Sequence, residues 1–564
     1  MGELDIAVVG VGPRGLAVVE RLLVRLRGRP PRADVTIWAF DAVEHGAGRV
    51  WRSDQPPWFG ANTTAGESTV LSPDGYLPGG RFGSLARWGG LAADDYPPRA
   101  LYGRYLAEVF AELCATAPPR VRVRPVPAEV TALVRARDRL LLTAGGTTYP
   151  ADKAVLATGH SAVALDDGQL ALRRHAARTP GAAYIPPGLA AEMPLDEIPP
   201  GTPVAVRGLG LTFYDVMRAV TVGRGGRFRA GPDGRLRYLA SGEEPWLIAT
   251  SRGGLPFLAR PAVPGYPEPA VRPRVVTEER LGALRERALA ATGSPQLDFA
   301  AHVEPLIQLE ADLACERGAA HPLGRLARPF AGRSFAGPDD FRRCLTRLLL
   351  LDARRAREGC AAGSVKAATE MLRAIRPLLP PVVDFGGLLP GSHHDFLTRF
   401  VPESYVLSAG PPAEHVEQLA ALLDAGIVQP AGPGATVVPD AAGYAVCSPH
   451  VGGPARHARV LLEARAPGRD VTRDTSPLYR QLLADGMISE FVNAGYRTGG
   501  LAVTRSPYRL LDASGRADPD IHALGVATDR TRWFTEVGTG RPGADSPFRR
   551  DADEVAAALL GAGQ

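Results

Sequence analysis

Lysine is almost absent from this 564-residue chain. Only Lys153 and Lys366 occur, so arginine supplies 63 of the 65 basic residues, and the formal net charge at pH 7 is +5. Acidic residues are interspersed with arginine along the whole sequence, whereas a protein that binds nucleic acid gathers its positive charge on one face. We therefore expect no nucleic-acid partner.

Cysteine and long apolar runs are scarce as well. The five cysteines lie far apart, and none forms the C-x-x-C pair of a dithiol reductase or of a zinc site. No apolar stretch approaches the roughly 20 residues that a membrane helix requires. The acidic Glu3 and Asp5 before a short apolar run argue against a signal peptide. We expect a cytoplasmic protein with no membrane partner.

The adjacent His393 and His394, followed by Asp395, are the nearest approach to a metal site. Neighbouring histidines project in different directions and no third ligand is evident, so no metal is predicted.

A glycine-rich turn follows the first apolar run. Residues 4–9 (LDIAVV) are typical of a buried parallel strand, GVGPRG follows, and the next residues carry apolar side chains at helical spacing. In this order Gly10, Gly12 and Gly15 permit a tight turn, the close approach of a pyrophosphate and close packing of helix on strand. The pattern predicts a dinucleotide site.

Three later segments continue this pattern. The strand DVTIWAF ends at Asp41, whose carboxylate is placed to accept hydrogen bonds from ribose hydroxyls; a solvated loop carboxylate is the alternative. The segment YPADKAVLATGH is typical of a strand that stops at residues 158–160, and DIHALGVATD of another that ends at a glycine turn.

Together these segments resemble the two-dinucleotide flavoprotein superfamily. Over nearly its whole length the chain is similar to a bacterial FAD-NAD(P)-binding family related to class B flavin monooxygenases, through GVGPRGLAVVERL, GAGRVWR, LATGH, SRGGLP, SVKAA and WFTEVGTGRPGADSPF. The resemblance implies an α/β fold with two Rossmann-like dinucleotide-binding domains and a helical insertion, and FAD and NADPH as cofactors. Some members resemble amino-acid N-oxygenases that convert aspartate to nitrosuccinate, but the family is functionally mixed.

The residues expected to hold FAD lie at the strand ends and in the segments quoted above. They are Gly10, Gly12, Pro13, Arg14, Gly15, Asp41, Arg49, Val50, Trp51, Thr158, Gly159, His160, Gly525, Thr539 and Gly540. Of these, Thr539 and Gly540 are expected at the pyrimidine edge of the flavin.

Asn62 and Thr63 are the predicted catalytic residues, because they resemble the Asn-Thr stretch beside the flavin in class B enzymes. In a flavin monooxygenase, Asn62 could donate a hydrogen bond to the peroxide that forms on the reduced flavin, or to the amide of the nicotinamide. Capping of a loop is the alternative.

A second glycine turn follows the proline-rich junction near residue 200. TPVAVRGLGLTFYDVMRAV repeats the order of strand, turn and helix, with Gly208 and Gly210 at the first two fingerprint positions and Phe213 in place of the third glycine. The resemblance makes this the NADPH site and puts Thr212 near the phosphates.

The strand after this turn, PWLIATS, ends at Ser251 and is followed by Arg252 instead of a carboxylate. Arginine there could neutralise a 2′-phosphate, which favours NADPH over NADH. An ordinary surface arginine is the alternative. Arg224 and Arg227 are looser candidates for phosphate contacts.

At roughly 150 residues per domain, the length predicts two to four domains. We place the FAD-binding domain in residues 1–170 and 439–564, and the NADPH-binding domain in 200–265 and 401–438. Between them, residues 266–400 carry apolar side chains at helical spacing and are expected to form a helical insertion over the cleft. Residues 404–430 are expected to form strand, helix and strand.

Three hypotheses for the function follow. The first is an FAD- and NADPH-dependent monooxygenase that N-oxygenates a small, aspartate-like amino acid through a flavin hydroperoxide, with O2 and the small molecule as its partners. The second is an NAD(P)H-dependent flavin oxidoreductase without oxygen insertion, and the third a redox-silent binding protein. A carboxylate-bearing substrate requires an arginine clamp, which the sequence cannot choose among so many arginines. A homo-oligomer is left open.

Overall fold

The structure is a computed structural model and describes residues 3–77, 80–262, 271–315, 322–360 and 364–561. Its strands, in chain order, are β1 (Leu4–Val9), β2 (Val35–Phe40), β3 (Val121–Val126), β4 (Val130–Ala136), β5 (Arg139–Ala144), β6 (Thr147–Ala151), β7 (Lys153–Leu156), β8 (Ala183–Ile185), β9 (Pro203–Arg207), β10 (Arg227–Ala230), β11 (Leu236–Leu239), β12 (Trp246–Thr250), β13 (Val428–Pro430), β14 (Thr436–Asp440), β15 (Gly443–Cys447), β16 (Arg456–Ala458), β17 (Val460–Glu463), β18 (Glu490–Asn493), β19 (Tyr496–Leu501), β20 (Arg509–Leu511) and β21 (Ala517–Ala523).

The helices are concentrated in the middle of the chain. In order they are α1 (Pro13–Gly28), α2 (Gly48–Trp51), α3 (Leu85–Gly89), α4 (Arg99–Ala115), α5 (Asp167–Arg178), α6 (Leu211–Ala219), α7 (Glu278–Thr292), α8 (Phe299–His302), α9 (Glu304–Ala314), α10 (Leu323–Ala327), α11 (Pro338–Glu358), α12 (Val365–Ala374), α13 (Pro380–Val383), α14 (Pro390–Asp395), α15 (Val401–Ser408), α16 (Ala413–Asp424), α17 (Pro477–Ala484) and α18 (Pro547–Leu559). Within the described residues, none of these helices combines the length and apolar character that a membrane span needs.

The first large sheet is built from both ends of the chain. Its strand order is β20-β21-β7-β1-β2-β3, and every neighbouring pair is parallel except β20 with β21. Residues 6–9 of β1 are all apolar, as expected where helices cover a parallel sheet on both faces. Helices α1 and α18 pack against each other beside it. The C-terminal segment therefore completes the domain that the N-terminal segment begins.

A second sheet, also parallel, has the order β13-β12-β9-β17-β8. With the first sheet it confirms the predicted α/β class with two Rossmann-like units. One predicted boundary is wrong: residues 439–564 do not all return to the first domain, because β17 pairs with β9 and β8. A four-residue apolar strand carries no information in its sequence about which parallel sheet will accept it.

The helical insertion shares a hydrophobic core with the second sheet. Phe299, Phe341 and Leu349 from the insertion are buried in the same core as Val204 and Leu247 of the sheet strands. The insertion is therefore packed into the second unit along its length. The predicted boundary at residues 265 and 266 lies outside the described residues.

The segment SYVLS was expected to be a strand, and this expectation is wrong. It lies in α15, which continues from α14 through one π-helical turn over Phe396–Phe400. A short apolar run does not distinguish a strand from a buried helix, and here the preceding helical turns extend through it. The helix and strand predicted after it are present as α16 and β13.

Candidate functional site

The first glycine turn joins β1 to α1 as the sequence predicts. Gly10 has a φ of +87°, and a Cβ there would lie 2.6 Å from the carbonyl oxygen of Ala157. A Cβ on Gly15 would lie 2.1 Å from the carbonyl oxygen of Gly10. Gly12 is the N-cap of α1, and a Cβ there would have its nearest neighbour 3.6 Å away. Gly10 and Gly15 are therefore required by the turn, whereas Gly12 opens toward a ligand.

A cavity of about 400 Å³ lies at the carboxyl ends of β1, β2 and β7. Ligands of parallel α/β sheets bind at this place, where neighbouring connections leave the sheet in opposite directions. Its walls include 12 of the 15 residues predicted to hold FAD, which are Gly10, Gly12, Pro13, Arg14, Asp41, Arg49, Val50, Trp51, Thr158, Gly159, His160 and Gly525. The wall also includes residues that were not predicted, among them Ala128–Val130, Thr475, Ser476, Leu478, Tyr479 and Thr535–Gly538.

Asp41 lines this cavity and also caps its own loop. Its Oδ1 accepts hydrogen bonds from the backbone N–H groups of Val43, at 2.9 Å, and Glu44, at 3.1 Å. Burial raises the pKa of the carboxyl group, although these two N–H donors act in the opposite direction. Loop capping thus fixes the side chain at the wall, and contact with a ribose stays a prediction.

The two arginines of the wall hold distant segments together. Arg14 donates to the carbonyl oxygen of Thr535 at 2.9 Å and pairs with Asp551 at 3.2 Å. Arg49 forms a two-bond pair with Glu192, at 2.6 and 2.5 Å. Both guanidinium groups are paired with carboxylates and therefore shape the cavity by fixing these segments.

The strand end at Thr158 contributes an unusual histidine. The Thr158 hydroxyl lies 3.0 Å from the hydroxyl of Tyr479, and Gly159 has a φ of +71°. Burial, with the nearby charge of Arg469, lowers the pKa of His160 to about 4, so the imidazole is neutral at physiological pH. Its Nδ1 is buried and has no hydrogen-bond partner in the described part of the chain. Such an atom fits a polar ligand.

Three predicted FAD residues lie away from the cavity wall. Gly15 packs beneath the turn, as described above. Gly540 exchanges backbone hydrogen bonds with Thr69, at 2.8 and 3.0 Å, and the Thr539 hydroxyl accepts from the same Thr69 N–H at 3.1 Å. The wall at this end is instead Gly538, whose carbonyl oxygen accepts a 2.9 Å hydrogen bond from the hydroxyl of Tyr102. A flavin contact for Thr539 and Gly540 stays a prediction.

The cavity fits FAD in shape and in donors. Its glycine turn allows close approach at Gly12, the first turn of α1 presents N–H groups without partners inside the helix, and His160 offers a free ring nitrogen. Trp51, held edge-to-face on Tyr102 at 4.8 Å, adds an apolar wall. The residues that would hold the cofactor are therefore those of this cavity.

The second glycine turn has the geometry of a nucleotide-binding turn, although a phenylalanine replaces the third glycine of the fingerprint. Gly208 has a φ of +113°, and Gly210 is the N-cap of α6. Phe213 is fully buried, and its ring packs in the hydrophobic core of this unit. The ring of Phe257 lies 3.4 Å from the position of a Cβ on Gly210. Thr212 lies in the first turn of α6, as predicted.

Beside this turn, the end of β12 presents the expected polar groups. The Ser251 hydroxyl oxygen is buried and has no hydrogen-bond partner in the described residues, and Arg252 is exposed. Both fit contact with an anionic dinucleotide. Arg224 does not, because its guanidinium donates to the backbone carbonyls of residues 195, 198 and 243. Arg227 lies exposed on β10.

Asn62 and Thr63, the predicted catalytic residues, lie outside the wall of the large cavity. The Asn62 side-chain amide donates to the carbonyl oxygen of Ala409 at 3.5 Å, and the guanidinium of Arg260 donates to the Asn62 carbonyl oxygen. The segment therefore joins the first domain to residues 260 and 409, which lie in the ranges predicted for the NADPH-binding domain. A direct catalytic role for Asn62 or Thr63 stays a prediction.

Arg260 belongs to a group of charges, buried in part, that no sequence pattern marks. We define the arginine cluster as Arg260, Arg373, Arg376, Arg541, Glu67 and Glu370. Glu67 pairs with Arg260 at 3.1 Å through one carboxylate oxygen and with Arg541 at 2.9 Å through the other. Glu370 pairs with Arg373 at 2.9 Å. Four arginines and two glutamates leave two positive charges without a counter-ion inside the cluster.

Arg376 is the member without a carboxylate partner among the described residues. It is 7% exposed, donates to the Ser408 hydroxyl at 2.5 Å, and stacks on the rings of Tyr405 and Phe534. Burial lowers the pKa of its guanidinium to about 10, so the group is still charged at neutral pH. A buried, ionised guanidinium without an anion is a candidate ligand site.

The arginines of the cluster also shift the pKa values of Glu67 and Arg373. Burial alone would raise the pKa of Glu67, but Arg260, Arg373 and Arg541 lower it to about 2. Burial and the neighbouring charge of Arg260 lower the pKa of Arg373. The positive charges therefore dominate the electrostatics of the cluster.

A short chain of contacts links the cluster to the large cavity. The hydroxyl of Tyr405, whose ring stacks on Arg376, donates to a carboxylate oxygen of Glu536 at 3.2 Å, and Glu536 lines the cavity. Burial would raise the pKa of Glu536, but Arg469 outweighs it and the pKa is lowered. An ionised carboxylate thus stands between the arginine cluster and the predicted flavin site.

Comparison with known proteins assigns the family. Residues 7–161 match a family model described as FAD-NAD(P)-binding. The L-aspartate N-monooxygenase (nitrosuccinate-forming) of Streptomyces cremeus is 37% identical over 99% of this chain and 95% of its own. The nitrosuccinic acid synthase npaA of Aspergillus oryzae is 34% identical over 99% of this chain and 93% of its own. The chain belongs to this N-monooxygenase family.

Among solved structures, the ornithine hydroxylase of Pseudomonas aeruginosa is similar with a TM-score of 0.49 at 11% identity, over 99% of each chain. Family membership makes the protein a flavin-dependent monooxygenase with FAD and NADPH as cofactors. This confirms the monooxygenase class of the first hypothesis against the oxidoreductase without oxygen insertion.

For the monooxygenase, replacing Arg252 with alanine should raise the KM for NADPH about 10-fold and leave the KM for NADH nearly unchanged. One charge-assisted contact to the 2′-phosphate is lost, which costs roughly 1.5 kcal/mol. Steady-state oxidation of both nucleotides measures the effect, with Arg235→Ala as the exposed-arginine control. Equal changes in the two KM values would remove the assigned role of Arg252.

The histidines considered for a metal have other partners in the monooxygenase. The ring of His393 is buried and contacts the Asn493 side chain at 3.2 Å, and burial lowers its pKa to about 4. Asp395 accepts hydrogen bonds from Arg399. In the described residues, no group of three or more His, Cys, Asp or Glu side chains could hold a metal ion.

Proposed function

We propose that this monooxygenase oxygenates the amino nitrogen of L-aspartate and forms nitrosuccinate. The name of the Streptomyces cremeus relative states this reaction, and the name of npaA states its product. The observation in this chain that carries the proposal is the buried Arg376 without an acidic partner in the described residues, within a cluster that has two uncompensated positive charges.

The charge of the cluster matches a dicarboxylate. Two carboxylates would neutralise the two uncompensated guanidinium charges, whereas a monocarboxylic amino acid would leave one of them buried without a counter-ion. An unpaired buried charge is costly, so the cluster should discriminate against alanine and asparagine.

Glu67 shows how the cluster holds a carboxylate. Its two oxygens each accept from a different arginine, Arg260 and Arg541, which fixes the plane of the carboxylate group. Arg376 is held by Ser408 and by two aromatic rings, so little side-chain freedom is lost when it binds an anion.

The same charges set the direction and the protonation state of the substrate. The carboxylates are drawn to the arginines, which leaves the amine end toward Glu536 and the large cavity. Burial beside guanidinium groups disfavours an ammonium, so a neutral and nucleophilic amine is favoured. Bound FAD and NADPH would supply the reducing equivalents and the activation of O2. The buried position of Arg260 and Arg376 excludes bulk water from this region.

The test is product analysis on the FAD-loaded protein. It is incubated with NADPH, 18O2 and, separately, L-aspartate, L-glutamate, L-asparagine or L-alanine, and the products are identified by mass spectrometry. We expect 18O-labelled nitrosuccinate from aspartate and no oxygenated product from alanine or asparagine. Oxygenated alanine, or hydrogen peroxide as the sole product with every substrate, would contradict the proposal.

A further inference from the structure

Lys366, one of the two lysines of the chain, is buried in an ion pair beside the arginine cluster. Its side chain is 1% exposed, and its Nζ lies 2.7 Å from a carboxylate oxygen of Asp352. Lys366 lies in α12 and Asp352 in α11, so the pair joins two helices of the insertion. Burial of an ion pair costs desolvation energy, which is offset only by good geometry and further hydrogen bonds to both groups.

Both groups bind the backbone of one residue, Ala259. The ammonium of Lys366 donates to the Ala259 carbonyl oxygen at 2.6 Å, and Asp352 accepts from the Ala259 N–H at 2.7 Å through its other oxygen. The pair therefore fixes the peptide groups on both sides of Ala259. The next residue along the chain is Arg260.

The surrounding contacts continue this restraint. The N–H of Leu258 donates to the carbonyl of Val406 at 2.8 Å, and the N–H of Arg260 donates to the carbonyl of Pro411 at 2.9 Å. Residues 366, 370 and 373 lie on one face of α12, since they are spaced at four and then three residues. The face that holds Ala259 thus also carries Glu370 and Arg373 of the cluster.

We propose that Lys366 and Asp352 are positioning residues that set the place of Arg260 for the substrate carboxylate. The inference rests on the function proposed above. It also explains why lysine is kept here in a chain that otherwise uses arginine: a compact ammonium can bond Asp352 and a carbonyl oxygen in a closed space, whereas the planar guanidinium is larger and has a different donor geometry.

The experiment compares Lys366→Arg, Lys366→Met and Asp352→Asn with Lys153→Arg. Lys153, the other lysine, donates to the carbonyl of Ala558 in the first domain, away from the cluster. Calorimetry on the oxidised, FAD-loaded enzyme gives the Kd for L-aspartate without turnover. We expect it to rise at least about 10-fold in the three site variants and to be unchanged in Lys153→Arg, with full FAD content in all.

A double-mutant cycle with Arg260→Ala separates positioning from general destabilisation. If Lys366 acts through Arg260, Lys366→Met should weaken aspartate binding much less in the Arg260→Ala background than in the wild type. Hydrogen exchange gives a readout that needs no substrate: the peptide over residues 253–262 should exchange faster in the Lys366 and Asp352 variants.

The outcomes distinguish this inference from the proposed function. A wild type that does not bind aspartate overturns both. A wild type that binds, with Lys366→Arg and Asp352→Asn variants of unchanged Kd, overturns the positioning role alone. Additive effects of Lys366→Met and Arg260→Ala, or unchanged exchange of residues 253–262, also overturn it.

Discussion

Replacing Arg376 with methionine should abolish measurable aspartate binding and leave the free enzyme as stable as the wild type, or more so. The side chain is buried and charged without an acidic partner in the described residues, so its removal relieves a desolvation cost in the absence of ligand. With aspartate present, the same change would delete the proposed contact to a carboxylate, which a guanidinium can make through two hydrogen bonds. At roughly 1.5–3 kcal/mol for each charge-assisted bond, the Kd should rise at least about 100-fold.

Thermal unfolding and aspartate calorimetry on the FAD-loaded protein measure the two effects. The matched control is Arg532→Met, because Arg532 is equally buried but pairs with Asp551 at 2.9 Å. That variant should lower the melting temperature, since it leaves the Asp551 carboxylate buried without this partner, and should change the aspartate Kd little. If Arg376→Met binds aspartate as the wild type does, Arg376 is not the anchor of the substrate.

The first cofactor site could be predicted from the sequence because its motifs are short and close together in the chain. Gly10, Gly12 and Asp41 follow β1 and β2 closely in sequence, and the order of strand, glycine turn, helix, strand and acid predicts a site at the carboxyl end of a parallel sheet. Thr158 and Gly525 follow strands that the apolar pattern identifies. The neighbouring wall residues 535–538 lie in an irregular segment without periodicity; the family resemblance covers this segment, but nothing in it singled out these four residues.

The arginine cluster could not be found in this way. Its members come from segments that are far apart in sequence, around residues 67, 260, 370 and 541, and arginine is too frequent for its occurrence to be a signal. The one compositional signal was the rarity of lysine, which marks Lys366 beside the cluster but does not say what it contacts. Only the packing of α12 against residues 259 and 260 brings these groups together.

The assignment of strands to sheets failed for a related reason. Strands β13 and β17 are three and four residues long, and both add to the second sheet. The sequence placed the first of them correctly because a helix of clear periodicity precedes it. Strand β17 instead follows the antiparallel strands β14, β15 and β16, which do not indicate the sheet that it joins. Tertiary packing determines the parallel neighbours of such a short strand.

Replacing Gly12 with valine should yield a folded protein that does not retain FAD. A Cβ at this position would meet its nearest neighbour, the Cα of Gly48, at 3.6 Å, and the backbone φ of −76° is ordinary for any residue. The fold should therefore tolerate the change. The branched side chain would nevertheless occupy the approach to the first turn of α1, where the backbone N–H groups face a pyrophosphate.

The measurements are the flavin absorbance of the purified protein and the far-ultraviolet circular dichroism. We expect a colourless protein with wild-type secondary structure and an FAD Kd that is raised at least about 100-fold. Gly28→Val is the matched control, because Gly28 ends the same helix and a Cβ there has no neighbour within 4 Å. It should stay yellow. Full flavin occupancy in Gly12→Val would show that the pyrophosphate does not bind at this turn, whereas loss of secondary structure would show that the turn itself cannot accept a side chain at Gly12.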